Sequence, residues 1–411
     1  MRILIVSQRY HPFVGGVETQ TRLIANELAT RHHVEIAAAN FEVPRVHRRL
    51  DVLAENILVP EYEDFFDGNV RVNTLTPSGR QKFAMLPIAA RTVPIVRRYF
   101  YSELSRFGYP WYRMAWMSRL RELVRKFDVV HSVAGGYLGW TAVEAAKAEG
   151  KPFACTPYVH PGQHGTDARS VSYYRNSDAV FALLETDKKI LVELGVDPDS
   201  IHLSGVVPLL PESADPQGFR QRHNLGSAPV VLYVGRMVEY KGYDVVLQAA
   251  RRVWQTIPDV RFIFIGPGGD PNSGEFQDAS GRIHFLGKVS EQEKADALAA
   301  CTILAMPSRF EILPAVYLEA WSYAKPVVGG VANGLRELVE GNGAGLIATQ
   351  DADDVTAVLK RMLSNPEEAR AMGLRGKELV RSRYTTDAVV HAIESVYEQI
   401  SGGVQQEAIL N

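Results

Sequence analysis

Apolar and polar positions alternate along this chain in short blocks rather than in one long period. Residues 2–6 form a brief, mostly apolar run, followed by a loop from Ser7 to Gly16 and a helical pattern from about Val17 to Ala29. Further apolar runs at 33–38, 128–133 and 152–156 predict strands, with helical patterns before and after the last two. At 230–234 (Val-Val-Leu-Tyr-Val) the same grammar restarts. A helix near 244–255, strands at 261–265 and 283–286, a helix at 291–300, a strand at 303–306, a helix from Pro314 and a strand at 326–328 follow. Strands that alternate with helices predict parallel sheets with helices on both faces. The pattern occurs twice, so the expected architecture is two Rossmann-like α/β domains facing each other.

The proline-rich, polar stretch 208–226 is the expected linker, which gives a first domain over 1–208 and a second over 209–386. Val389, Val390, Ile393, Val396, Tyr397 and Ile400 then recur at helical spacing, after Thr385, Thr386 and Asp387 as caps. They predict a final amphipathic helix, and 401–411 reads as a frayed tail.

Composition narrows the class. A chain of 411 residues is too long for one ordinary core and fits two domains. With 46% hydrophobic and 22% charged residues and a formal net charge of −2, nothing global calls for nucleic acid or a membrane, so any electrostatic argument must be local. The two cysteines, Cys155 and Cys301, each lie in an apolar segment, offer no metal cluster or disulfide framework, and fit a reducing compartment. The opening Met-Arg-Ile-Leu-Ile-Val is too short for a signal-peptide core, and no run reaches the roughly 20 apolar residues of a spanning helix. The expectation is a cytoplasmic protein.

One segment departs from that neutral balance. Between Arg80 and Phe127 stand eleven Lys/Arg against Glu103 and Glu122, interleaved with Tyr99, Phe100, Tyr101, Phe107, Tyr109, Trp111, Tyr112 and Trp116. Basic plus aromatic composition suits an anionic membrane surface and a peripheral place at the inner membrane face. The simpler reading is that Trp116, Leu120, Leu123, Val124 and Phe127 form the core face of an ordinary helix.

Two pairs of residues carry candidate chemistry. Arg236 and Lys241 follow the strand at 230–234, at the carboxyl edge where open α/β sheets place ligands. Two cations there suit a diphosphate, above all one gaining charge as it departs. Taken alone, they also describe a solvated loop. Glu311 and Glu319 bracket the next helix start: Pro314 suits a first helical position, which leaves Glu311 in the loop and Glu319 a little over one turn inside. Free amides at that helix start could receive phosphate oxygens. Alternatively both glutamates are ordinary helix charges. Together the four suggest a nucleotide-sugar site.

This constellation resembles the family-4 retaining glycosyltransferases, which have the GT-B fold. The resemblance rests on H-P-F-V-G-G-V-E near the N-terminus, the R-x4-K-G loop, and the E-x7-E helix followed by A-K-P-V-V. It implies that Arg236 and Lys241 hold the donor diphosphate, Glu311 the donor sugar and Glu319 the ribose. Gly15 and Gly16 would let backbone approach the reacting sugar and phosphate. His160, in T-P-Y-V-H-P-G, matches a family histidine that contacts the donor sugar, although unaided it reads as structural. Val289, in L-G-K-V-S, matches where the donor base rests, and the final helix is expected to cross back onto the first domain. Many members have Gly-Phe-Gly after the first glutamate. Here Ile312, Leu313 and Pro314 stand there, so Leu313 is carried over as a substrate contact while the phosphate contacts are fewer or rearranged, Pro314 having no amide proton.

The resemblance implies a UDP- or GDP-sugar as substrate, an acceptor hydroxyl, no cofactor and no catalytic metal; the acceptor is unidentified, and the basic aromatic segment suits a lipid-linked or anionic one. His160 and His164 have a spacing that suits two ligands on a helix, but Pro161 and Gly162 argue against one there. Asp197-Pro198-Asp199 reads as a capped turn. A nicotinamide-dependent oxidoreductase is disfavoured because Pro271 stands where the glycine pattern beginning at Gly266 needs its last glycine. A non-catalytic nucleotide-sugar or glycan binder remains as the other reading.

Overall fold

The computed structural model describes residues 1–13, 15–39, 57–93, 104–133, 135–162, 164–269, 276 and 280–410. Val14, Arg97, Arg98, Tyr99, Phe100, Tyr101, Glu103 and Pro271, which entered the motifs above, lie outside the described residues. The chain divides into two compact units. Met1–Ala182, Lys188–Ser204 and Val390–Asn411 form the first; Leu183–Asp187 and Gly205–Val389 form the second.

In the first unit β1 (Arg2–Ser7), β2 (His33–Ala38), β3 (Phe65–Asp67), β4 (Val70–Thr74), β5 (Val129–Val133), β6 (Phe153–Thr156), β7 (Ala179–Ala182) and β8 (Ile201–Leu203) build one sheet. Its order is β3-β4-β2-β1-β5-β6-β7-β8. β1 buries five of its six residues and β5, β6 and β7 bury all of theirs, so apolar residues dominate them and His131, Ser132 and Thr156 are buried polar exceptions. Neighbours pair in parallel, except that β3 runs antiparallel to β4 at the edge. That short hairpin is an addition to the expected all-parallel pattern. Ile3 lies opposite both Val34 and Val129, so β1 is flanked on both sides and the strand order reverses there. The loop after β1 leads through Gly15 into helix α1 (Gly16–Leu28), and the loop after β6 carries His160.

The second unit holds β9 (Val230–Val234), β10 (Arg261–Ile265), β11 (Ile283–Gly287), β12 (Ile303–Met306), β13 (Val327–Gly329) and β14 (Gly345–Ile347). The order β11-β10-β9-β12-β13-β14 is parallel throughout. Here the order reverses between β9 and β12, the place where such sheets open a ligand crevice beyond their carboxyl ends. Helix α2 (Tyr243–Val253) follows β9, α3 (Glu291–Ala300) precedes β12, and α4 (Ala315–Ser322) follows it. α4 is buried almost all round. Tyr317, Leu318, Ala320 and Trp321 are fully enclosed, the Tyr317 hydroxyl donates to the Met306 carbonyl (2.7 Å), and the Trp321 indole donates to that of Ala344 (2.9 Å).

The stretch expected as a linker contains a helix at Pro216–Arg222, capped by Asp215 and tied to α3 by Arg222 on Asp296 (2.9 Å). The final helix, α5 (Thr386–Leu410), extends well past residue 400, so most of the expected frayed tail is helical. From Val390 onward it belongs to the first unit, where the Tyr397 hydroxyl meets His131 Nδ1 (2.6 Å) and Glu394 binds Arg31 and His32.

Candidate functional site

β9 ends at Val234, and the chain turns through Gly235 and Arg236 into a single 3-10 turn at Glu239–Lys241. Gly242 then adopts φ 80° and starts α2. Only glycine fits there on two counts: the backbone is left-handed, and a Cβ would lie 2.8 Å from the Pro307 carbonyl oxygen. The turn is held to the loop after β12 through the Tyr240 carbonyl. It accepts from the Arg309 amide (2.9 Å), the Ser308 hydroxyl (3.2 Å) and the Gln350 side chain (2.7 Å). Arg236 is exposed; it donates to the Tyr240 hydroxyl, and its own carbonyl accepts from the Tyr233 hydroxyl (2.9 Å). Lys241 lies over the same Tyr240 ring, 5.6 Å from its centroid. Tyr240 therefore spaces the two cations, a role that sequence reading did not give it.

The structure brings Lys241 directly onto Glu311: the ammonium donates to Oε1, with side chains 17% and 13% exposed. Glu311 sits in the loop beyond β12 and Pro314 caps α4 one position earlier than expected, so Glu319 is the fifth residue of the helix. Ile312 and Leu313 are buried, which leaves the Leu313 side chain little surface to offer a ligand. The Tyr317 amide already donates to the Pro314 carbonyl (3.0 Å).

Glu319 has a different partner, and one that sequence reading missed. Lys294 on α3 reaches both of its oxygens, at 3.1 and 3.0 Å, and also holds Glu291 at 2.6 Å. Burial disfavours charge on both members of this pair. For Glu319 burial wins, and its carboxyl is raised above the usual range despite Lys294 and a bond from the Leu209 amide. For Lys294 burial is outweighed by the two carboxylates, and its pKa is raised. Val289 is half-buried in the turn between β11 and α3, five residues before Lys294.

In the first unit Gly15 caps α1 with extended backbone, and a Cβ on it would fall 2.3 Å from the Glu18 carboxylate; Gly16 faces open space. His160 pairs with His164 through two backbone hydrogen bonds (3.1 and 3.0 Å) around a turn with Gly162 at φ 80°, their rings 4.6 Å apart. Just before it, Tyr158 holds φ 49°, a left-handed conformation that is uncommon for a bulky residue and costly to maintain. No pattern in the sequence announces it. Asp197 caps the turn Pro198–Ser200 by accepting from the Asp199 amide (3.1 Å). Among the described residues no group of three or more His, Cys, Asp or Glu is placed to hold a metal ion.

Among the described residues, most cations of the basic segment are paired within the protein while remaining open to solvent. Arg113 binds Glu144, Arg121 and Arg125 both bind Glu149, Arg119 donates to the Thr76 carbonyl (2.6 Å) and Lys82 to that of Val59 (2.6 Å). Trp116, Leu120, Val124 and Phe127 are buried in the core, as are Tyr109 and Tyr112. Phe83, Leu86, Trp111 and Met114 reach solvent among exposed cations of the same segment, Arg80, Arg113, Arg119, Arg125 and Lys126. Among the described residues no helix is long and apolar enough to cross a membrane.

A family model described as Glycosyltransferase Family 4 matches residues 14–204, and one described as Glycosyl transferases group 1 matches residues 228–365. The chain is similar to the GDP-mannose-dependent alpha-(1-6)-phosphatidylinositol monomannoside mannosyltransferase of Mycobacterium tuberculosis, with 23% identity over 94% of this chain and 96% of that one. With the alpha-D-kanosaminyltransferase of Streptomyces kanamyceticus the identity is 26% over 44% of this chain and 48% of the relative. The chain spans about half the length of that relative and of several others it matches. Among solved structures, Anabaena HepE in complex with UDP aligns with a TM-score of 0.70 over 97% of this chain and 100% of the other, at 16% identity, a likeness of fold.

Proposed function

The chain belongs to the family-4 glycosyltransferases and has the GT-B fold, and from that premise we propose that it moves a hexose-type sugar from a nucleotide diphosphate sugar to an acceptor hydroxyl with retention of configuration. The observation that carries the reading is the Lys241–Glu311 pair beyond the carboxyl ends of β9 and β12. There a cation for the diphosphate and a carboxylate for sugar hydroxyls stand together. Arg236 and Lys241 stabilise the departing diphosphate, Glu311 binds the sugar and Glu319 the ribose. Gly15, Gly16 and His160 serve the reacting end, while Val289 and the Leu313 backbone serve the nucleotide.

In the step itself the acceptor oxygen bonds to the anomeric carbon on the face that the diphosphate leaves. The carbon–oxygen bond to phosphate breaks, and a phosphate oxygen takes the acceptor proton. Arg236 and Lys241 act on the charge that grows on the leaving group, where fixed donors count most.

The donor is a UDP- or GDP-sugar; the mycobacterial relative, whose name specifies GDP-mannose and a phosphatidylinositol glycolipid, makes GDP-mannose the first to try. A thermal-shift screen against UDP, GDP and their sugars tests the reading, since a ligand at 100 times its Kd adds about 2.7 kcal/mol of stability. No shift with any of them would sink it. A shift without transfer or slow donor hydrolysis would favour the non-catalytic binder.

Exposed Phe83, Leu86, Trp111 and Met114 support a second element of the proposal, peripheral contact of a cytoplasmic enzyme with the inner membrane face and a lipid-linked acceptor. Vesicle sedimentation with and without anionic lipid checks it, and no pelleting at low salt would refute it.

A further inference from the structure

Glu319 is 5% exposed at the side chain, and its carboxylate plane is met on both oxygens by one ammonium group, that of Lys294. Lys294 itself is 16% exposed and belongs to a different helix, α3, so the contact is made by the packing of α3 against α4. Its second carboxylate, Glu291, lies one turn back on α3 and anchors it at 2.6 Å. The neighbouring groups are few. Asp296 on α3 is engaged by Arg222, Gln292 and the Asp215 amide, Tyr323 stands just past α4, and the Leu209 amide donates to Glu319.

We propose that Lys294 is the positioning residue of the ribose site: it fixes the rotation of the Glu319 carboxylate and keeps it ionised, so that it accepts from ribose hydroxyls. The inference rests on the reading above that Glu319 binds the ribose. An ionised carboxylate is an acceptor only, whereas a protonated one gives up acceptor capacity to carry its own proton. Burial already presses Glu319 toward the neutral form, and Lys294 is the one cation within bonding distance of it among the described residues. Without that ammonium the carboxyl titrates higher, and hydroxyl recognition is present only above the raised pKa.

The test is calorimetric binding of GDP, UDP and their 2′-deoxy counterparts to the full chain between pH 6 and 9. The wild type is expected to prefer the ribonucleotide about tenfold or more, as befits a hydrogen bond to a charged group. Lys294→Met should bring that preference close to one at pH 7 and recover it as pH rises, while Lys294→Arg, which keeps the charge, should retain the wild-type pH profile. If Lys294→Met does not fold, Lys294→Gln is read by the same criteria. An unchanged preference at every pH in the neutral variants would overturn the role of Lys294. Glu319→Gln separates the two failures. If it too keeps the preference, the assignment of Glu319 to the ribose falls; if it loses the preference while the neutral Lys294 variants keep it, only the positioning role falls.

Discussion

Lys241 donates to Glu311 across the reversal point of the second sheet, joining the loop after β9 to the loop after β12 over 70 residues of sequence. Both side chains are more than four-fifths buried, so neither charge has ready access to water when the other is removed. An arriving diphosphate would compete with Glu311 for the ammonium and turn the carboxylate toward the sugar.

That geometry sets a mutational pattern. Lys241→Ala should lower kcat/KM for the donor about 10²–10³-fold, the scale of losing a donor to the transition state. It should also destabilise the fold, by less than the about 3–5 kcal/mol of a fully buried broken pair, since some solvent reaches it. The Lys241→Ala, Glu311→Ala double variant should cost less stability than the sum of the singles, because each single strands a charge. Urea unfolding of all three proteins checks this, and strict additivity would mean that the pair is not coupled.

Arg236 predicts the opposite balance. It is exposed and touches the protein through Tyr240 and its own backbone, so Arg236→Ala should change stability by no more than about 0.5 kcal/mol. Its effect on transfer should still be about 10²–10³-fold. Tyr240→Phe keeps the ring between the cations and removes one hydrogen bond, worth about 1 kcal/mol, so a roughly fivefold loss is expected. Steady-state kinetics with saturating acceptor distinguishes these variants. A Tyr240→Phe enzyme as impaired as Arg236→Ala would show that the hydroxyl does more than orient the guanidinium.

Much of the framework around this candidate site was legible in the chain, and the reason is the spacing of short apolar runs and helix caps. β9, β10, β12 and α3 fall where their apolar runs and caps place them, because strands buried on both faces read as short continuous apolar runs bounded by turn residues. The strands β3 and β14, three residues each, are too short for any period to emerge, and β4 alternates buried and outward positions over five residues with only two strongly apolar ones, Val70 and Val72. Arg236, Lys241, Glu311 and Glu319 were visible as motifs, but not their partners. Lys294 looks like an ordinary Glu-x-x-Lys helix pair with Glu291 until α3 is packed on α4. The left-handed Tyr158 left no trace at all, since tyrosine is not among the residue types that favour that region.

One position carries a local conflict that can be repaired. Ala324 follows the end of α4 with φ 56°, where helices commonly place glycine. Its backbone is held there by hydrogen bonds that the Ala324 amide donates to the Trp321 carbonyl (2.7 Å) and the Lys325 amide to the Ala320 carbonyl (3.0 Å). A β-carbon in left-handed backbone costs roughly 1–2 kcal/mol, and glycine gives part of that back as greater freedom of the unfolded chain. Ala324→Gly should therefore stabilise the second unit by up to about 1 kcal/mol. Denaturant midpoints at unchanged slope measure it; a destabilised variant would show that the alanine methyl packs better than its strain suggests.

The final helix brings a pH dependence of its own. His131 is fully buried between the Tyr397 hydroxyl on Nδ1 (2.6 Å) and the Thr156 hydroxyl on Nε2 (2.9 Å), and burial pushes its pKa down to about 3. The unfolded imidazole takes a proton near the reference value of about 6.5. Between those two values the unfolded chain binds more protons than the folded one, so stability falls as pH drops from about 6.5 toward 3. Tyr397→Phe removes a partner from a buried nitrogen and should cost about 1–3 kcal/mol at neutral pH, but burial still depresses the histidine and the acid slope persists. His131→Gln lacks the titrating group, so its stability should change less steeply over the same pH range. Unfolding free energies of the three proteins at pH 7 and pH 5 decide the matter: equal acid slopes in wild type and His131→Gln would place the acid sensitivity elsewhere than at this histidine.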